Sequence, residues 1–389
     1  MKRNVTVLVC LAFIILLSGC TKISGEATLN QECISISDNY TWDKSIQGNL
    51  VLASSNLQGN EFLDMSTGAR ISITNNKNDF AYSFQVSPDG EWLAYIHDGE
   101  PPLTTSLIVQ SANKKEIFEF PVDFQEWQTI SYWLNNETLI LRNHAVPLDN
   151  IVVFNPFTGE KQVMNATEYP KTLPDDWEWD YWPSLLILDP LQRYLTYVGI
   201  SGDTYYPGDH KLVLWNLENR QVVTEVNDFG YSPAPPLWKQ DGSGLILVKS
   251  IPGYAPPVEK DDLLFLSVDG KVEHLAELGN YFQYAKVDSY SLSPNEAFLA
   301  LSLVTTFVRG QTSQRTLLIL DLSTLNIMDT CLLPQATNAF LTWSPDSKYL
   351  AFAQLSSKND EQTVVLDVFK NEAFIVAEKF HPEGWLIDK

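Results

Sequence analysis

VSPDGEWLAYI at residues 86–96 and WSPDSKYLAFA at 343–353 follow one pattern: an apolar strand end, a Ser-Pro-Asp turn, then a strand of small and aromatic residues. Pro sets φ for the first turn position, while Asp, Ser and Gly favour the tight reversal after it. Leu, Ala, Tyr and Phe in the second half suit a pleated, half-buried surface. SLSPNEAFLALSL (291–303) is a close third copy. YWLNNETLILR (132–142), ILDPLQRYLTYVG (187–199) and LWKQDGSGLILVK (237–249) are weaker ones, and TWDKSIQGNLVLAS (41–54) is a degenerate first copy. The turns recur roughly every 45–55 residues, the spacing of a four-stranded propeller blade.

A second signature follows each copy. NIVVFNPFTGEKQVM (150–164), KLVLWNLENRQVVTEV (211–226), LLFLSVDGKVEHLAEL (263–278) and TLLILDLSTLNIMDT (316–330) each read as strand, polar turn, strand. Gly or Asn in those turns supplies the positive φ that a tight reversal needs. No long stretch has helical periodicity. The expectation is an all-β chain forming a single β-propeller of seven four-stranded blades, or six if the poor first copy does not count. The ring could close through the tail HPEGWLIDK (381–389) beside the first blade, or through CISIS (33–37) beside the last.

Ser87-Pro88-Asp89-Gly90 with Leu93-Ala94-Tyr95, and Ser344-Pro345-Asp346 with Leu350-Ala351-Phe352, resemble the repeat of TolB-type propellers, a WD-like repeat also found in the propeller of prolyl oligopeptidase relatives. The resemblance covers residues 40–380 and implies a fold rather than an activity, because the repeat is structural. Unlike TolB itself, the chain is expected to carry no separate N-terminal α/β domain ahead of the repeats.

At the N-terminus, Lys2 and Arg3 precede an apolar run from Val5 to Leu17. That run is shorter than the roughly 20 residues of a membrane-spanning helix and has the length of a secretory h-region. It ends in Leu17-Ser18-Gly19-Cys20, which resembles the lipobox read by bacterial lipoprotein signal peptidase. The resemblance implies a signal peptide over 1–19 and diacylglycerol on Cys20. Residues 20–32 then read as a lipidated, flexible tether and 33–389 as the propeller, held extracytoplasmically on a bacterial membrane, at the cell surface or in the periplasm.

The net charge of −22 argues against nucleic acid and against docking on anionic headgroups. Of four cysteines, Cys10 leaves with the leader and Cys20 carries lipid. Cys33 and Cys331 remain, to form one disulfide or stay as two buried thiols.

If strands run a to d outward from the axis, the a–b and c–d turns share one face, and the longer b–c and d–a connections share the other. Long loops on a rigid scaffold are the usual home of binding. These carry Trp177, Trp179, Tyr181, Trp182, Tyr205, Tyr206, Tyr231 and Tyr254 among acids and prolines, a mixture suited to a protein hot spot or a sugar face. Catalysis has less support. Gly199-Ile200-Ser201-Gly202-Asp203 breaks the nucleophile-elbow pattern at its last position, and the five histidines lack metal-ligand spacing. No cofactor is expected. The expected role is that of a non-enzymatic binding or scaffold propeller, recognising a protein or glycan on the long-loop face. The alternative is a propeller enzyme acting on glycans or lactones through funnel carboxylates or a metal, which requires acids or histidines to converge at the inner strand ends.

Overall fold

A computed structural model describes residues 27–37, 45–54, 59–74, 79–98, 105–122, 129–143, 150–164, 187–200, 210–227, 235–251, 260–306, 313–335 and 340–387. Their strands form seven sheets, each with a four-stranded antiparallel blade, so the protein is a seven-bladed β-propeller. Blade 2 shows the plan: strands Phe80–Val86, Trp92–Asp98, Thr105–Ser111 and Ile117–Pro121, called a to d, pair in sequence order.

The repeated turn folds as its residues dictate. The Ser87 hydroxyl donates to Asp89 Oδ1 at 2.6 Å and accepts the Trp92 amide at 3.0 Å, while Asp89 Oδ1 also accepts the Glu91 amide at 3.1 Å. Ser344 and Asp346 repeat the arrangement in blade 7. Gly90 and Gly242 fill the positive-φ slot of the a–b turn in blades 2 and 5, while Gln192, Glu296 and Ser347 hold such angles at the same slot in blades 4, 6 and 7. Local side-chain hydrogen bonds offset the strain of a Cβ there, so copies without Gly fold the same turn.

Both ends of the chain take part in closure. The tail supplies the inner strand of blade 1: His381–Leu386 runs antiparallel to Asn49–Ala53, so that pairs such as Leu50 with Trp385 join the ends of the ring. The first sequence copy therefore contributes no inner strand of its own; its described part becomes strand b. The N-terminal end forms a belt instead. Thr28–Gln31 lies parallel to the outermost strand of blade 6, Asn326–Asp329, and Ile36–Ser37 lies parallel to that of blade 7, Glu372–Glu378. Residues 28–31, within the stretch read from sequence as tether, are thus a paired strand.

Burial gives the reason. Ile117, Val222 and Val272, at one position in the outer strands of blades 2, 4 and 5, are 55, 42 and 42% exposed. At the same position Ile327 is covered by Leu29 and Ala373 by Ile36, and both are buried. Capping these edges removes apolar surface and unpaired backbone from water together. A disulfide joins Cys33 to Cys331 between the two belt strands.

Seven hydrophobic clusters, one at each junction between neighbouring blades, make up the core. Strand alternation sends each blade's apolar residues to both of its faces, so every blade is packed on two sides.

Candidate functional site

The inner strands are His381–Leu386, Phe80–Val86, Thr129–Asn135, Ile187–Leu188, Leu237–Trp238, Lys286–Leu292 and Thr342–Trp343, for blades 1 to 7. They surround an axial cavity of about 510 Å³ that reaches the a–b turns, where Pro88, Pro190, Pro294 and Pro345 line its mouth. At the inner-strand position paired with an equivalent leucine of strand b, blades 1, 3, 5 and 7 place Trp385, Trp133, Trp238 and Trp343, while blades 2, 4 and 6 place Val86, Leu188 and Leu292.

Three of these indoles are fixed. Trp133 Nε1 donates to Gln85 O at 3.0 Å, Trp343 Nε1 to Ser291 O at 3.0 Å and Trp385 Nε1 to Gln47 O at 3.1 Å. Trp238 differs: its Nε1 is buried with no hydrogen-bond partner, and Ile187 O, the carbonyl equivalent to Gln85 O, accepts the Thr196 hydroxyl at 3.2 Å. The alternation packs large against small around the axis and leaves one indole N–H unsatisfied.

Higher along the axis the inner strands are irregular. Register shifts interrupt them at Glu383 in blade 1, Ser83–Phe84 in blade 2, Ser131 in blade 3 and Asp288 in blade 6. A bulge re-aims a side chain that would otherwise lie against the neighbouring blade. Asp288 meets Arg315 at 2.9 Å and the Ser83 hydroxyl donates to Ile130 O at 3.2 Å.

Glu383 joins a larger group at the connection-face end of the inner strand. His381 Nδ1 is 3.2 Å from Glu361 Oε2 and its Nε2 is 3.2 Å from Glu383 Oε1, with side-chain exposures of 9, 15 and 22% for His381, Glu361 and Glu383. Phe340 stacks on the imidazole with centroids 4.0 Å apart, and Gln335 donates to Glu361 Oε1 at 3.1 Å. Burial alone would lower the pKa of His381, but the hydrogen bonds and charges of Glu383 and Glu361 outweigh it and hold the pKa above the usual imidazole value. The sequence contained a signal for half of this group: His-Pro-Glu places His381 and Glu383 two residues apart on one strand. Glu361, on another blade, had none.

In blade 2, Tyr82 is shifted upward by burial and by Asp98, while His97 pairs with Asp79 at 3.2 Å. Among the described residues, no group of three or more His, Cys, Asp and Glu side chains is arranged to hold a metal ion. Cys20 and all eight aromatic candidates (Trp177, Trp179, Tyr181, Trp182, Tyr205, Tyr206, Tyr231 and Tyr254) lie outside the described residues, as do Ser201, Gly202 and Asp203.

No family model and no curated protein matches the chain by sequence. Solved structures do resemble it. An oligogalacturonate lyase in complex with manganese aligns over 85% of this chain and 86% of its own, with 14% identity and a TM-score of 0.56. The oligogalacturonate lyase of Vibrio parahaemolyticus aligns over 86% and 87%, with 14% identity and a TM-score of 0.55. TolB from Acinetobacter baumannii aligns over 88% of this chain and 67% of its own, at 12% identity and a TM-score of 0.45. At such identities the two closer-fitting likenesses show the propeller fold and nothing about activity.

Proposed function

We propose that this chain is a lipid-anchored, extracytoplasmic binding propeller that recognises a protein or glycan through the face carrying its b–c and d–a connections. The observation behind this reading is the blade topology. Strands b end and strands c begin on one face, strands d end and strands a begin there too, and by sequence all eight aromatic candidates fall in the segments joining those ends. Seven two-sided interblade cores make the scaffold rigid, so loops on it can present a pre-organised surface. The leader and Leu17-Ser18-Gly19-Cys20 support anchoring through Cys20 at the membrane surface, outside the cytoplasm.

The enzymatic alternative needs acids and histidines free to act at the inner strand ends. His381, Glu361 and Glu383 are a described group of that kind, but both ring nitrogens are engaged by carboxylates and the side chains are mostly covered. That arrangement fits a structural seam better than an open reaction site. The test is photo-cross-linking in cells with a photoreactive residue at Trp179 and a control at Asn295, in the a–b turn of blade 6. A discrete protein adduct from Trp179 alone is the result expected of a protein partner. Glycan-array binding that is lost on replacing Trp179 is the result expected of a glycan. Absence of both refutes the binding reading.

A further inference from the structure

The ring closes without a covalent bond between its first and last blades, and the connection-face end of that seam is organised around one histidine. His381 begins the closing strand of blade 1, Glu383 follows on the same strand, and Glu361 begins Glu361–Asp367 of blade 7. Each ring nitrogen of His381 faces one carboxylate at 3.2 Å. A neutral imidazole carries a single N–H, so it can donate to only one of them, and its other nitrogen then turns a lone pair on the second. Only the imidazolium satisfies both. The group has little room to relax: Phe340 covers the ring face, and Gln335 holds the other oxygen of Glu361.

We propose that His381 is a proton-operated latch across the seam between blades 7 and 1. Protonated, it ties Glu361 to Glu383 and closes the ring; deprotonated, it sets a lone pair against a carboxylate and loosens the connection-face end of the seam. Other charged groups packed around the seam are Lys379, whose backbone amide donates to Glu361 O at 2.7 Å, and Arg70, which pairs with Glu61 at 3.2 Å and lies over Phe380. The latch rests on seam geometry and is independent of what the connection face binds.

The pH direction follows from linkage. A histidine whose pKa is raised on folding contributes stability that is fully present below about 6.5 and is lost as pH rises through the folded value. The connections of blades 7 and 1 leave from this end of the seam, so loosening it changes their spacing. A chain outside the cytoplasm would meet such pH changes directly.

The test is an NMR titration of the histidine ring protons in wild type and His381→Gln, combined with amide exchange in the seam strands Asn49–Ala53 and His381–Leu386. Exchange in Arg315–Asp321 of blade 6 serves as the internal reference for intrinsic base catalysis. The expected result is a histidine signal, absent from His381→Gln, that titrates above 6.5, with seam exchange accelerating severalfold relative to the reference across that transition. Glu383→Gln should shift the same transition downward, and it carries the test if His381→Gln does not fold. A His381 titrating at or below 6.5, or a seam transition that persists unchanged in His381→Gln or Glu383→Gln, overturns the proposal.

Discussion

Trp385→Ala and Trp238→Ala remove the same side chain from equivalent strand positions, and the structure predicts unequal costs. Trp385 is 2% exposed, donates to Gln47 O at 3.1 Å and stacks on Tyr349 of blade 7 with centroids 6.2 Å apart. Its ring therefore joins the last blade to the first. Deleting a fully buried indole costs about 3–5 kcal/mol through lost transfer energy and the cavity left behind. Trp238 is only partly buried and its N–H has no partner, so its removal leaves no acceptor stranded. About 2 kcal/mol is expected there, in proportion to the smaller apolar area returned to water. Trp385→Phe keeps most of the burial and loses the hydrogen bond, for about 1 kcal/mol. Urea unfolding followed by far-ultraviolet circular dichroism, with the disulfide intact, measures all three. Equal costs for the two alanine variants, or a Trp385→Ala protein within about 1 kcal/mol of wild type, would refute closure by the C-terminal strand.

Cys331→Ser opens a link between residues 298 apart. The chain-entropy model sets a ceiling of about 5–6 kcal/mol on the resulting loss, and a wild-type urea midpoint unmoved by reductant would contradict it. In Gly384→Ala the new Cβ would lie 2.2 Å from Val86 Cγ2, so the variant should lose about 1–3 kcal/mol and regain part of it in combination with Val86→Ala. Desolvation alone would raise the pKa values of Asp64, Asp321 and Asp346, yet hydroxyl and amide donors, joined at Asp346 by the Lys348 ammonium, hold them below the usual carboxylate range. Their contribution is present above about 3.9 and is lost as pH falls through the depressed values, so Asp321→Asn should flatten the acid limb of the stability curve.

The blade count was legible because each blade carries its own turn, and Ser87, Asp89, Ser344 and Asp346 act within five residues of chain. Closure was legible only as two open routes, the tail beside the first blade and residues 33–37 beside the last, and the structure uses both. The pairing of Leu50 with Trp385 spans nearly the whole sequence, and no local pattern distinguishes an inner strand borrowed from the C-terminus from one supplied by a degenerate first copy. The belt was hidden for a related reason. Thr28–Gln31 is polar except for Leu29 and reads as linker, because its partner edge, not its own composition, makes it a strand. The same applies to the seam histidine: spacing along the chain gives His381 and Glu383, but the second carboxylate arrives from blade 7. Features built from one hairpin were readable, whereas features built between blades were not.

These closure devices also indicate where the ring is weakest, and it is not where the chain ends meet. Blades 6 and 7 are backed by the belt, and the blade 7–blade 1 seam is reinforced by Trp385 and His381. Blades 4 and 5 have none of this. Their outer strands leave Val222 and Val272 exposed, with no belt strand paired to them among the described residues. The junction between them also holds the indole of Trp238, whose N–H has no partner among the described residues. Local opening follows low apolar burial and few protected backbone hydrogen bonds. Below the pH at which the seam loosens, amides of Ile187, Leu188, Leu237 and Trp238 should therefore exchange faster than those of Asn49–Ala53, and a Thr196→Val change that frees Ile187 O to accept the Trp238 indole should slow them. Seam amides exchanging first under those conditions would mean that the belt and the closing strand do not carry the stability assigned to them.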